Sequence, residues 1–247
     1  MKTPRTTTNV TARSENPATY ESLTGPVTGV VLAGGSSSRM GRPKPLVMLG
    51  GQLVLARIKA ALDRVCDEIV LVVAKDQDDA IPDTGIALGM HVVADRLTGA
   101  GPLAGIETGL KAVNSPLAFL VAADHPFLSA DLIIGMADVA IRGPFDTVVP
   151  SKAGRLEPLH AVYSPQAWLP TISSALDAGR RSIYDLVNSA IATGDPGVHV
   201  MEYAELASFD PDGRSLFDID TPDSLAQARR MLGSTGIVRP DIRPGGL

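Results

Sequence analysis

The sequence predicts an α/β domain built on a mostly parallel central sheet with helices packed against it. Three observations predict it. Short apolar runs alternate with amphipathic stretches along the chain, the pattern of successive βαβ units. Hydrophobic residues make up 45% of the chain but aromatic residues only 4%, so Val, Leu, Ile and Ala must fill the core, as in parallel sheets covered on both faces. The first apolar run also ends in paired glycines and a hydroxyl-rich loop, Gly34-Gly35-Ser36-Ser37-Ser38. A chain of 247 residues suits one such domain.

The elements follow in order. Strand-like runs fall at 27–33, 68–74, 90–94, 117–123 and 146–150. Helical periodicity appears at 52–64, 103–113, 129–141, 165–177, 182–192 and 222–232. Pro102 after Gly101 suits the first position of a helix, where the missing N–H costs nothing. Ser129 before Ala130-Asp131-Leu132 reads as an N-cap. Thr221-Pro222-Asp223 combines a capping hydroxyl, a first-turn proline and a first-turn acid. A short strand is expected at 216–219, which puts Asp220 at a strand–helix junction. Residues 1–25 have few large apolar residues and no periodicity, and 233–247 are rich in Pro and Gly. Both read as flexible tails around a domain at 26–232.

Composition narrows the function classes. The formal net charge is −5, which argues against a general nucleic-acid binder while permitting a local basic pocket. Cys66 is the sole cysteine, so an intramolecular disulfide is impossible, and the pattern fits a reducing cytoplasm. Between a helix and a strand, Cys66 reads as a buried structural thiol. No apolar run reaches the length of a membrane span, and the first 20 residues contain no apolar signal core. The four histidines (91, 125, 160 and 199) have no paired metal spacing and read as structural or surface residues. Trp168 and the methionines read as packing.

The loop after the first strand carries the chemistry. In Leu32-Ala33-Gly34-Gly35-Ser36-Ser37-Ser38-Arg39-Met40-Gly41-Arg42-Pro43-Lys44, glycines let backbone N–H groups approach an anion. Arg39 and Lys44 add fixed positive charge. The Walker pattern fails because Arg42 and Pro43 follow Gly41, and GxGxxG fails because Gly34 and Gly35 are adjacent. A Gly/Ser turn with two incidental basic residues is the bland alternative. Placement directly after a buried-type strand favours a triphosphate site instead.

Carboxylates at strand ends complete the constellation. Asp124 closes the run Leu117–Ala123, and ligands of open α/β sheets bind beyond the carboxyl ends of strands. A carboxylate there, facing a triphosphate, suits Mg²⁺; a turn acid before Pro126 is the alternative. Asp95 ends another strand before a glycine-rich segment, where a turn or cap role is equally open. Arg180, Arg181 and Ser182 follow Gly179 and form a candidate anchor for a second substrate's phosphate, or a solvated helix start.

The residues resemble a known family. Leu32–Lys44 is similar to the LAGGxSxRMGxxK signature of the MobA-like NTP transferases, which attach a nucleotide to the molybdenum cofactor, within the sugar-nucleotide pyrophosphorylase-like superfamily. The resemblance extends in order through Gly101-Pro102-Leu103-Ala104-Gly105-Ile106, Asp124-His125-Pro126, Glu157-Pro158-Leu159 and Phe217-Asp218-Ile219-Asp220-Thr221-Pro222, about residues 27–232. It implies a three-layer Rossmann-like nucleotidyltransferase fold. It also implies an activity: Mg²⁺-dependent transfer of GMP from GTP to molybdenum-bound molybdopterin, releasing pyrophosphate. The implied nucleotide contacts are Leu32, Ala33, Gly34, Gly35, Ser36, Ser37, Lys44, Asp95 and Asp124, with Arg39, Lys44 and Asp124 catalytic. Asp124 is the implied metal ligand. Asp220 is a second candidate, although guanylyl members commonly carry Asn there, and a helix-capping role is as plausible.

Other consequences follow from the same resemblance. Glu157–Tyr163 resembles the pterin-side segment, with Pro158 and Leu159 shaping a wall and Glu157 expected as a surface turn acid. Val73 replaces an Asn through which some relatives contact nucleotide. Ala33-Gly34-Gly35 looks guanylyl-like, whereas cytidylyl members usually have Ala-Ala-Gly. The cytidylyl activity, or another small-molecule nucleotidyltransferase, is the alternative reading; a catalytically inactive nucleotide-binding module is the alternative of another class. Expected partners are GTP and molybdopterin, with other molybdenum cofactor proteins or molybdoenzyme chaperones as further candidates.

Overall fold

Val27–Leu32 forms β1, the axis of the molecule. The structure is a computed structural model and describes residues 27–34, 43–75, 80–95 and 101–233. After β1, a 3-10 turn at Lys44–Leu46 leads into a small antiparallel hairpin, β2 (Met48–Leu49) and β3 (Gln52–Leu53). Helix α1 (Val54–Leu62), strand β4 (Glu68–Ala74), helix α2 (Ala80–Ala87) and strand β5 (His91–Asp95) follow. Helix α3 (Pro102–Lys111) then returns the chain to β6 (Leu117–Ala122). The second half comprises α4 (Ala130–Arg142), β7 (Thr147–Lys152), β8 (Arg155–Leu156), β9 (His160–Tyr163), α5 (Pro165–Asp177) and α6 (Ile183–Thr193). It ends in β10 (Val198–Met201), α7 (Tyr203–Leu206) and α8 (Pro222–Gly233).

The sheet order is β10-β7-β9-β6-β1-β4-β5, with β8 paired to β7. The β1–β4, β4–β5, β1–β6 and β7–β10 pairs are parallel. Strand β9 runs antiparallel to both β6 and β7. From β1 the chain winds outward to β4 and β5, then α3 carries it back to the other side of β1. Right-handed crossovers make α3 lie on the opposite face from α1 and α2. The reversal of winding puts a topological switch point between β1 and β6, where open α/β sheets bind their ligands.

Apolar burial drives this arrangement. Val30, Val31, Val70, Leu71, Phe119, Leu120 and Val121 have no solvent exposure, and burying each such side chain contributes about 1.5–3 kcal/mol. Helix α3 lies unusually close to the sheet because Gly109 has no side chain. A Cβ there would come 2.5 Å from Val30 Cγ1 and 3.0 Å from Val72 Cγ2.

The structure adds to the sequence expectations and corrects several. Strands β9 and β10 and helix α2 were not expected. Residues 216–219 form no strand; they leave a turn at 215–216 as an irregular loop whose Ile219 N–H donates to the Asp124 carbonyl at 3.0 Å. That carbonyl sits beyond the end of β6, so the loop has no ladder to join. The hairpin takes residues 52–53 from the expected helix at 52–64. Gly233 belongs to α8 rather than to the tail. The rest of both expected tails lies outside the described residues.

Candidate active site

The carboxyl edge of the sheet is where the chemistry gathers. Ala33 N–H donates to Val72 O at 2.8 Å and Ala123 N–H donates to Leu32 O at 3.0 Å. The ladder therefore holds up to the point where the first loop and the Asp124 turn leave the sheet. Gly34 stands exposed just past this point. Packing does not demand a glycine there, because a Cβ would meet Ala74 N at 3.4 Å, an ordinary contact. Gly35, Ser36, Ser37 and Arg39 lie outside the described residues.

Lys44 enters from the 3-10 turn and joins two carboxylates. Its Nζ donates to Asp124 Oδ2 at 2.9 Å and also to Asp220 Oδ1. Asp124 is mostly buried, with 18% side-chain exposure against 50% for Asp220. Burial by itself pulls the Lys44 ammonium down; hydrogen bonds to Asp220 and Asp124, and the charges of both, outweigh it and hold the group above the ordinary lysine value. Residues 80 and 176 positions apart from Lys44 in sequence thus converge on one nitrogen.

Asp220 is placed by the start of α8. Its N–H and that of Thr221 donate to Ser224 Oγ at 2.9 and 3.0 Å, while Ser224 N–H donates to Thr221 Oγ1 at 3.1 Å. This reciprocal cap, with Ser in the place usually taken by Glu or Gln, satisfies the open helix end. The Asp220 carboxylate does not cap the helix; it turns to Lys44.

Ser215, which sequence reasoning missed, ties this loop to the Asp124 turn. It is fully buried. Its Oγ accepts from Ser129 N–H at 3.1 Å and bonds His160 Nε2 at 3.1 Å. Its N–H donates to Asp210 Oδ2 at 2.8 Å. Its carbonyl lies 3.3 Å from His125 Nδ1, and a carbonyl only accepts, so Nδ1 carries the proton there. Burial drives the His160 imidazole well below the ordinary histidine range, with His125 and Lys152 acting in the same direction. The neutral His160 ring shares one hydrogen bond with the Ser215 hydroxyl through Nε2, and its Nδ1 is buried without a partner. A serine between arginine and leucine has no pattern to reveal such a role. His160 is structural, as expected. His125 Nε2 sits 3.8 Å from Asp124 Oδ1.

The remaining candidates are dispersed around this centre. Asp95 ends β5, and Thr108 Oγ1 donates to its Oδ1 at 3.4 Å. The missing Cβ of Gly105 would lie 3.8 Å from both Asp95 Oδ2 and Leu32 Cδ2, so Asp95 faces the first turns of α3 near the end of β1. Arg180 and Arg181 are exposed. Arg181 Nη1 donates to Leu176 O at 3.2 Å and Arg180 O at 2.9 Å, and Arg181 Cβ lies 3.4 Å from the space beside Gly101. Arg181 therefore borders the N-terminus of α3. Ser182 Oγ accepts from Asp185 N–H at 3.2 Å and caps α6. Glu157 is half-buried rather than a surface acid. Burial raises its carboxyl above the ordinary value, opposed by Arg155, His125 and Lys152. Val73 is buried and offers no polar side-chain contact.

Comparison with known proteins agrees with this geometry. The MobA-like NTP transferase domain matches residues 29–192. A probable molybdenum cofactor guanylyltransferase of Chloroflexus aggregans is 36% identical over 217 residues, 85% of this chain and 97% of that protein. The molybdenum cofactor guanylyltransferase of Mesorhizobium japonicum is 35% identical over 214 residues, 84% of this chain and 97% of its own length. The crystal structure of molybdopterin-guanine dinucleotide biosynthesis protein A from Archaeoglobus fulgidus superimposes with a TM-score of 0.70 at 24% identity, covering 84% of this chain and 99% of that one. The chain belongs to the family of MobA-like NTP transferase domains.

Proposed function

We propose that the protein transfers GMP from GTP to molybdenum-bound molybdopterin, forming the guanine dinucleotide cofactor and pyrophosphate. The observation that carries this reading is the meeting of Lys44, Asp124 and Asp220 at the β1–β6 switch point. The names of the two bacterial relatives support guanylyl over cytidylyl transfer, as does the Gly34-Gly35 pair.

The reaction needs no protein nucleophile. The pterin's terminal phosphate attacks the α-phosphorus of GTP in line and pyrophosphate leaves. Catalysis then rests on positioning and charge neutralisation. The backbone from Leu32 to Ser37, with Arg39 and Lys44, holds the triphosphate. Asp95 reaches the nucleotide from the end of β5, and Arg180 and Arg181 offer positive charge to the second substrate.

The donor set at the centre fits Mg²⁺. Two carboxylates share one small cationic group, and both supply the oxygen ligands that a hard cation prefers. Among the described residues no cluster of three or more His, Cys, Asp or Glu side chains could hold a metal. Phosphate oxygens and water must therefore complete the shell, as is usual for Mg²⁺. Asp124 is the principal ligand and Asp220 the second. When bound, the ion offsets negative charge on the α-phosphate and the leaving pyrophosphate. No described helix is long and apolar enough to cross a membrane; a cytoplasmic location remains part of this proposal.

A nucleotide panel tests the reading. GTP should bind more tightly than CTP, ATP or UTP by calorimetry with Mg²⁺ present, and release pyrophosphate with molybdopterin as acceptor. Gly34→Ala fits the fold and should narrow the GTP preference over CTP. Equal or tighter CTP binding by the unaltered chain rejects guanylyl transfer, and GTP binding without turnover points to an inactive module.

A further inference from the structure

We infer that Lys44 fills the divalent-cation position between Asp124 and Asp220 until nucleotide arrives, so that metal enters the site only together with the triphosphate. This rests on the proposed metal role of the two carboxylates.

The geometry is that of a substituted cation. The Lys44 ammonium donates to Asp124 Oδ2 at 2.9 Å and to Asp220 Oδ1, so both carboxylates already point one oxygen at a common positive charge. The backbone beneath both carboxylates is anchored. The Asp124 carbonyl accepts from Ile219 N–H at 3.0 Å, which joins the two acid-bearing segments one residue before Asp220. The Asp220 backbone is held in turn by Ser224 Oγ. Lys44 follows Pro43 and opens a 3-10 turn whose Pro45 is buried, so its base is also anchored.

Charge decides the order of events. Among the described residues, one ammonium and two carboxylates sum to −1, too little to draw a strongly hydrated divalent ion from water. Without the ammonium the pair carries −2 at a short separation. A triphosphate changes the balance, because it brings several negative oxygens that attract the lysine and ligate the ion. Lys44 then exchanges carboxylate partners for phosphate oxygens, and the ion takes the position between the acids. Asp220 makes the block stronger in this chain: an Asn at this position would remove the full negative charge of one of the lysine's described carboxylate partners.

The test uses the full chain and Mn²⁺ alone as probe, with free Mn²⁺ followed by electron paramagnetic resonance. Wild type should bind Mn²⁺ weakly without nucleotide and firmly with GTP. Lys44→Met should gain nucleotide-free Mn²⁺ affinity by about tenfold or more, from removal of one nearby unit charge. Lys44→Arg should stay as weak as wild type, and adding Asp124→Asn to Lys44→Met should abolish the gain. In wild type by NMR, the Lys44 side-chain nitrogen signal should stay put with Mg²⁺ alone and move with Mg²⁺ plus GTP; this reading does not depend on the variants folding. Equal Mn²⁺ affinity in wild type and Lys44→Met, or a Lys44 signal shifted by Mg²⁺ alone, overturns the exchange while leaving the transferase reading intact. A folded wild type that binds Mn²⁺ neither alone nor with GTP removes the metal reading itself.

Discussion

At the scale of single residues, Asp124 and Ser215 divide the labour at the site. Asp124 supplies charge. Asp124→Asn keeps the size of the side chain, and an amide suits the same turn, so the fold should survive. Turnover should fall about a hundredfold, the loss expected for one electrostatic element of catalysis. GTP binding, measured separately by calorimetry, should fall much less because the loop and Lys44 remain. A variant with wild-type turnover and metal requirement shows that the catalytic centre lies elsewhere. Ser215 supplies position. Ser215→Ala strands the part-buried Ser129 N–H and the buried His160 ring nitrogen, each without its Ser215 partner. Stability should fall by about 1–3 kcal/mol in urea denaturation, and the Mg²⁺ concentration for half-maximal turnover should rise as the 215–220 segment loosens. An unchanged Mg²⁺ requirement confines Ser215 to a purely structural role.

At the scale of elements, glycine both hides and permits helix–sheet contact. Helix α2 carries Pro82 and Gly85 in eight residues, so local propensity argues against it. The close sheet contact accounts for the glycine: a Cβ at Gly85 would lie 2.4 Å from Leu71 Cδ2 and 3.1 Å from Val92 Cγ2. The same logic governs Gly109 in α3, whose neighbours Val30 and Val72 are stiff, β-branched and buried. Gly109→Ala raises helix propensity, yet it should destabilise the protein by about 1–3 kcal/mol through overpacking. A denaturant midpoint at or above wild type contradicts the close α3–sheet contact. Strand β9 escaped notice for another reason. Its four residues, His160–Tyr163, are all buried and begin with a histidine, so neither length nor alternation marks them as a strand.

At the scale of the whole molecule, Cys66 reports on global folding. The thiol is 9% exposed, and burial pushes it up from 9.0 to about 12, with Asp67 and Asp63 adding to the effect. Between these values the folded chain holds a proton that the unfolded chain has released. Stability must therefore fall as pH rises above about 9. Lys44 acts in the same sense, since its raised value means that its favourable contribution is present below the ordinary lysine value and lost above it. Cys66→Ala should flatten the alkaline decline of the unfolding free energy, measured by urea titration at several pH values. The wild-type thiol should resist alkylation until the molecule unfolds. Rapid alkylation under native conditions contradicts its burial.

Much of the fold and part of the site were legible in the chain itself, because they rest on local physics. Runs such as Val27–Leu32 and Leu117–Ala122 can satisfy their apolar character only inside a sheet, and caps such as Ser129 are matters of neighbouring backbone. The strand-end position of Asp124 is local in the same way, so its place beyond β6 could be read from the apolar run before it. Tertiary structure alone decided what meets what. Lys44, Asp124 and Asp220 converge because α3 reverses the winding of the sheet and Ile219 docks on the Asp124 carbonyl. The same long-range contacts settled that Asp220 faces Lys44 instead of capping α8, that Ser182 is committed to α6, and that Ser215 stands among two histidines. Those outcomes depend on distances between segments far apart in sequence, and no local pattern of residue types encodes such distances.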